Sequence, residues 1–253
     1  MSYLGDYHTH TVYSHGKGSI EENVKEAIKK GLKEVAITDH GFRHMLYQVT
    51  HKEFQKMQQE VAELRKKYSE ITIYLGIESN LNSYDGQADV KPQYLQALDI
   101  MVCGYHKFVM PSKLRDGKFF IRNLLFGESK RSATQIKKNT DAYLRLLENY
   151  EVDIVSHINY GISTDATEVA RACKYYGTYV ELNGKRINMS DEELTIMAKE
   201  GVEFICNSDA HSPERVGDYS VPQAVIDRVG IPYQQIANWE RLPQFRSRKN
   251  INQ

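Results

Sequence analysis

The stretch Asp6-Tyr-His8-Thr-His10-Thr-Val-Tyr-Ser-His15 sets three histidines within eight positions, beside an aspartate, after five residues of lead-in. His8 and His10 are two apart, so on an extended chain both rings point to one side. Imidazole and carboxylate are the expected ligands of Zn, Mn or Fe ions. Such a stretch is the first piece of a metal site, and it constrains the rest of the chain to bring further ligands to the same place.

The remainder reads as a β-α repeat. Ser19 caps a helix over 20–30, with Glu22 completing a capping box, and Gly31 stops it. A short buried strand at 35–37 follows, then a helix over 51–68 with Phe54, Met57, Val61 and Leu64 as its apolar stripe. A strand at 71–77 ends in Glu78, and 79–93 reads as loop and turn. A strand at 98–102 leads to His106, and 107–135 reads as an insertion with one short helix, a candidate lid. A helix over 136–149, a strand at 152–155, a helix over 165–176 and a strand at 178–182 come next. A helix over 191–199, capped by Ser190 with Glu193, a strand at 203–206 and a helix over 220–229 complete the pattern. Short apolar strands separated by amphipathic helices, with no linker, predict one α/β domain over 1–243 with parallel strands. A barrel suits this better than a doubly wound open sheet, which stays as the structural alternative. The tail, 244–253, is polar and basic and is expected to fray.

The metal-type residues fall at strand ends. His8 and His10 follow the first strand, His40 the second, Glu78 the third, His106 the fourth and His157 the fifth, with Asp209 and His211 after the last. In a barrel these ends open on one face. Of nine histidines, only His44 and His51 fall outside the set that includes His15, and those two read as hydrogen-bonded surface residues. Asp6 is read as a partner that orients an imidazole rather than as a ligand, and Asp39 as such a partner or a simple turn residue. So many imidazoles exceed one tetrahedral ion and suit two or three, with a carboxylate bridging. No cysteine lies in these segments, which favours an open catalytic site over a closed structural one.

Other classes find less support. Lys+Arg and Asp+Glu balance at 33 each, so no general electrostatic case exists for nucleic acid or acidic membranes. Cys103, Cys173 and Cys206 are scattered and read as buried, reduced thiols of a cytoplasmic protein. Neither a leader segment nor a membrane span is expected. No GxGxxG follows a strand, and no GxSxG is present.

The segments Asp6-Tyr-His8-Thr-His10-Thr, Ser14-His15-Gly16, Ile37-Thr-Asp39-His40-Gly41, Gly76-Ile-Glu78, Gly104-Tyr-His106, Ser156-His157 and Ser208-Asp209-Ala-His211 together resemble the PHP (polymerase and histidinol phosphatase) family in its stand-alone phosphoesterase form. The resemblance spans residue 6 to about 217. It implies a distorted (β/α)7 TIM-like barrel with three divalent metal ions. By that resemblance His8, His10, Glu78 and Asp209 hold one ion, Glu78 bridges to a second held by His106 and His157, and His15, His40 and His211 hold the third.

The chemistry that fits is phosphomonoester hydrolysis by metal-activated water, with Glu78, Asp209 and His211 as catalytic candidates. A phosphate also needs cations, and Lys185, Arg186, Arg215 and Lys107 follow strand ends on the catalytic face. The insertion adds Lys113, Arg115, Lys118, Arg122, Lys130 and Arg131. Family membership makes L-histidinol phosphate the first substrate expectation. Another small phosphate ester or phosphotyrosine, a PHP-type nuclease, an amidohydrolase and a non-catalytic metal-binding regulatory module are the alternatives. The segment Asn183-Gly-Lys185-Arg186 departs from the Asn-Ser or Asn-Thr-Ser of several family branches, which leaves the substrate pocket open. The partner expected is a small phosphorylated substrate; an oligomeric state does not follow from the residues.

Overall fold

The computed structural model describes residues 2–126 and 132–246. Among the described residues, strands β1 (Gly5–Asp6), β2 (Glu34–Ile37), β3 (Thr72–Asn80), β4 (Ile100–Gly104), β5 (Ile154–Val155), β6 (Tyr179–Asn183) and β7 (Phe204–Asn207) form one sheet in chain order. Every neighbouring pair is parallel. Helices α1 (Ile20–Lys29), α2 (His51–Lys67), α3 (Pro92–Leu95), α4 (Gly117–Phe126), α5 (Ala133–Asn149), α6 (Ala166–Tyr176), α7 (Asp191–Lys199) and α8 (Ser220–Val229) connect and follow them. The sheet curls into a distorted, nearly closed barrel. Beyond β1, Thr9 pairs with Ala210 beyond β7, and the His10 amide donates to the Ala210 carbonyl at 2.8 Å. At the opposite end, residues 236–239 wedge between the two outer strands. There the Ala237 amide donates to Phe204 and the Leu4 amide to Asn238.

Period-two alternation divides the strands between two environments. On β3, Ile73, Leu75 and Ile77 face the helices and join the large outer core, while Tyr74 faces inward with Ile100, Val102, Ile154, Tyr179 and Ile205. The same inward row continues from Tyr74 through Gly76 to Glu78 and Asn80. On β6 it runs Tyr179, Glu181, Asn183. The barrel interior is thus apolar and aromatic at the amino ends of the strands and polar at their carboxyl ends. Capping boxes at Ser19/Glu22, Thr50/Glu53 and Ser190/Glu193 start α1, α2 and α7, satisfying amides that the helices leave unpaired.

Four expectations need correction. Strand β3 runs on to Asn80, so Glu78 stands inside a strand rather than after it, and the loop expected at 79–93 contains α3. The insertion holds a 3-10 turn (Leu114–Asp116) as well as α4, and α4 sets Phe119 and Phe120 against Tyr105. Its Lys130 and Arg131 lie outside the described residues. The tail starts later than its composition suggests. Phe245 is buried, its ring edge-on to Tyr7 at 4.9 Å and to Tyr74 at 5.9 Å, where it closes the apolar end of the barrel. Residues 247–253 lie outside the described residues. The cysteines are buried and unpaired, as expected. Among the described residues, no helix is long and apolar enough to cross a membrane.

Candidate metal centre

All nine residues expected to hold metal converge at the carboxyl ends of the strands, and Glu78 is their hub. Its Oε1 lies 2.7 Å from His157 Nε2, 3.4 Å from His8 Nε2 and 3.6 Å from His106 Nε2. Its Oε2 lies 2.9 Å from His40 Nδ1 and 3.5 Å from His10 Nε2. Asp209 Oδ1 faces His10 at 3.3 Å, His211 at 3.4 Å and His8 at 3.7 Å. The His15 ring stacks 4.9 Å from His40 and meets His211 edge-on at 4.0 Å. Burial works against charge on Glu78, yet His106, His8, His157 and His40 hold its carboxyl well below the usual range. For Asp209, burial is likewise outweighed by His8, His10 and Lys185.

Two backbone features bring these side chains in. His157 and Asp209 sit at φ 27° and 50°, a left-handed region that costs a non-glycine residue about 1–3 kcal/mol. Gly104 lets the β5 loop approach: a Cβ there would stand 2.3 Å from Ser156 Oγ and 2.7 Å from His157 Cε1.

The donor set fits divalent cations, on three observations. First, the tautomers are fixed. His8 Nδ1–H donates to Glu181 at 2.7 Å, and His106 Nδ1–H donates to Asn80 Oδ1 at 2.6 Å. The Asn80 amide is itself oriented, because its Nδ2 donates to Asp89. In the neutral rings Nε2 of both therefore faces the Glu78 carboxylate: buried His106 presents a lone pair to it, and His8, which the surrounding carboxylates otherwise keep protonated, has a position there where a cation can replace the proton. Second, the 3.3–3.7 Å separations of the His8, His10 and His106 nitrogens from the Glu78 and Asp209 oxygens match the roughly 3.4 Å between ligand atoms of a tetrahedral ion with bonds of about 2.0–2.1 Å. Third, Nδ1 of His15, His40 and His157 is buried with no aligned hydrogen-bond partner. Among the described residues, three groups have ligand atoms within 4.8 Å of one another: His8, His10 and Glu78; His40, Glu78 and His106; His10, His40 and His211. Relative to the expected partition, His40 stands with Glu78 and His106 as well as with His211, and His10 belongs to two groups.

The remaining expectations divide. Asp39 reaches His10 only through Ser14, whose Oγ donates to Asp39 at 2.5 Å and lies 3.4 Å from His10 Nδ1. Asp6 orients backbone, not an imidazole: its carboxylate accepts from the Ser208 and Gly217 amides and from Ser208 Oγ, tying β1 to the loop after β7. Lys185 Nζ lies 3.2 Å from Asp209 Oδ1 and 2.7 Å from His211 Nδ1. Lys107 and Arg186 line the cavity over the centre; Arg215 does not, and it pairs with Asp218 at 2.7 Å.

Three residues escaped the sequence reading, Asn80, which orients His106, being the first. His44, taken there for a surface residue, is buried, stacks 4.8 Å from His40 and lines the cavity. Glu181, which orients His8, also accepts from the His157 amide at 2.9 Å and from Asn183 and Asn207. A glutamate in mid-strand at the inward alternation position was the available signal for it. The cavity itself is about 310 Å³, walled by these imidazoles and by Leu46, Tyr47, Phe108 and Tyr160.

Comparison with known proteins agrees with this arrangement. A family model described as "PHP domain" matches residues 6–208. A "Probable phosphatase" of Acetivibrio thermocellus is 26% identical over 98% of this chain and 97% of its own length. A "Probable phosphatase" of Shewanella baltica is 30% identical over 94% of this chain and 87% of its own. Among solved structures, a histidinol phosphate phosphatase from Lactococcus lactis, complexed with zinc, L-histidinol and phosphate, superposes with a TM-score of 0.60. It shares 17% identity, with 98% of this chain and 99% of that one covered.

Proposed function

The chain belongs to the PHP domain family and is a metal-dependent phosphoesterase, and from that premise we propose that it hydrolyses monoesters of phosphoric acid with small organic alcohols or phenols. The observation that carries this reading is Glu78, a buried carboxylate ringed by imidazole nitrogens at ligand-to-ligand distances, beside a small cavity that Lys185 lines. His8, His10, His15, His40, Glu78, His106, His157, Asp209 and His211 would hold the divalent ions, which when bound would supply an activated water and positive charge for the phosphoryl oxygens.

The protein's own groups do the rest. Glu181 and Asn80 hold the His8 and His106 rings in the ligand tautomer. Lys185, beside Asp209 and His211, offers a cation to the phosphoryl group. Among the described residues, no serine, threonine or cysteine lines the cavity, so a nucleophile of those three types has no candidate there. A cavity of about 310 Å³ suits a small leaving group better than a nucleic-acid strand. L-Histidinol phosphate is the ester that the Lactococcus likeness suggests. At 17% identity that likeness concerns the fold, and the leaving-group pocket has to be read from its own lining.

The test is turnover by metal-reconstituted protein on p-nitrophenyl phosphate, L-histidinol phosphate, a phosphotyrosine peptide, nucleoside monophosphates and single-stranded DNA. Monoesters should turn over and DNA should not, and chelation should abolish the activity. Full turnover after chelation would sink the reading.

A further inference from the structure

The outer cavity has a chemistry of its own. Leu46 is 65% exposed, Phe108 55% and Tyr160 45%, and with Tyr47 they form an apolar rim around the metal-type residues. The rim is built rather than frayed. His44 and Val109 form an antiparallel bridge, the Met45 amide donates to Phe108 at 2.8 Å and the Met110 amide to Arg43 at 2.9 Å. Apolar rings left in water beside a polar site are a binding surface for the apolar part of a ligand.

The charges on the same wall are one-sided. Its only carboxylates are Glu78 and Asp209, and both are engaged by the imidazoles. Its cations are Lys107, Lys185 and Arg186. Lys185 is turned inward, onto Asp209 and His211. Among the described residues, no carboxylate lies within ion-pair distance of Lys107 or Arg186. The stem of Lys107 lies along Gly161, where a Cβ would stand 3.1 Å from its Cε, so this cation flanks the β5 loop that carries Tyr160. A ligand ammonium would find two cations and no unengaged carboxylate here, with only ring faces to attract it, whereas a second anionic group would find Lys107 and Arg186.

The geometry points to a substrate class: phosphomonoesters whose leaving group is a flat apolar body bearing a second negative charge, in preference to esters bearing an amine. This rests on the phosphatase reading. The apolar rim takes the ring, Lys107 and Arg186 take the second anion, and Lys185 stays with the reacting phosphoryl group.

Three esters that differ only beyond an insulating methylene test it on the full-length, metal-loaded protein: para-(carboxymethyl)phenyl, para-methylphenyl and para-(aminomethyl)phenyl phosphate. The carboxylate ester should exceed the amine ester about tenfold in kcat/KM, with the neutral ester between, and salt should narrow the gap. In the Lys107→Gln/Arg186→Gln double variant the carboxylate preference should collapse towards the neutral ester. In Arg186→Glu the order of the charged esters should invert. Equal rates on all three, or the amine ester fastest, overturns the inference while leaving the phosphatase reading intact. So does an equal loss on all three in the double variant, because the two cations would then serve the reacting phosphate. If none of the three esters and no p-nitrophenyl phosphate is hydrolysed, it is the phosphatase reading that fails.

Discussion

Glu181 accepts a hydrogen bond from Nδ1–H of His8 across 2.7 Å, although 173 positions separate the two in the chain. The bond joins an inward residue of β6 to the segment beyond β1. It decides which nitrogen of His8 carries the proton and leaves Nε2 free for a metal. Burial opposes charge on Glu181, but His8 and His157 hold its carboxyl below the usual value, so it is an acceptor at neutral pH.

Glu181→Gln should therefore lower metal affinity and kcat about 10–100-fold, the usual effect of losing such a partner. The amide keeps the volume and the strand. Metal titration of the purified variant, alongside an unchanged far-ultraviolet circular dichroism spectrum, checks it. Unaltered affinity would mean that the ring is oriented by its packing alone.

Glu78→Gln removes the charge around which the imidazoles gather. Activity should fall on the order of a thousandfold. The wild-type protein should gain Tm on adding Zn or Mn, because an ion that binds only the native state stabilises it. The variant should gain little. Melting curves with and without metal report this independently of turnover.

The metal-free protein should lose stability as pH falls below about 6.5, the ordinary imidazole value. Burial and neighbouring imidazoles lower His15 to about 3, burial and His40 lower His44 to about 4, and burial, against Asp209, lowers His211 to about 4. Burial also holds His10 and His106 well below the usual range. Only His8 and His157 move the other way, where carboxylates outweigh burial. Below pH 6.5 the unfolded chain therefore binds protons that most of these native imidazoles refuse, and the equilibrium shifts towards unfolding. The Tm of chelated protein should decline steadily from pH 7.5 to 5. A flat profile over that window would contradict the burial of these rings.

Phe245→Ala should cost about 3 kcal/mol, on the order of 10 °C in Tm, by opening a void beneath Tyr7 and Tyr74. The metal centre lies at the other end of the barrel, so kcat of the folded variant should be unchanged. A wild-type Tm would show that the end of the chain contributes nothing to the core.

The repeat, the strand ends and the histidine positions were legible in the residues because each rests on local rules. Capping boxes, apolar periodicity and the two-residue period need no knowledge of distant partners. That is why Ser19, Ser190 and the nine candidate ligands could be named before any coordinates. The extent of β3 was not legible, because Glu78 and Asn80 are polar residues whose strand geometry is imposed by pairing with β4. Nor was the place of Phe245, an isolated apolar residue in a mostly polar tail, which only the open end of the barrel can bury.

By itself, the sequence determined that several imidazoles and two carboxylates would meet at the carboxyl ends of parallel strands, since β-α alternation leaves those ends on one face. Only the tertiary structure decided what surrounds them. Glu181 comes to His8, Asn80 to His106 and His44 into the cavity because closing the barrel brings together segments far apart in the chain. The opening stretch, residues 6–15, thus carries ligands whose proton positions are set elsewhere. Hydrogen bonds of that kind have no local signature, because they depend on which strands become neighbours and on which residues then face inward.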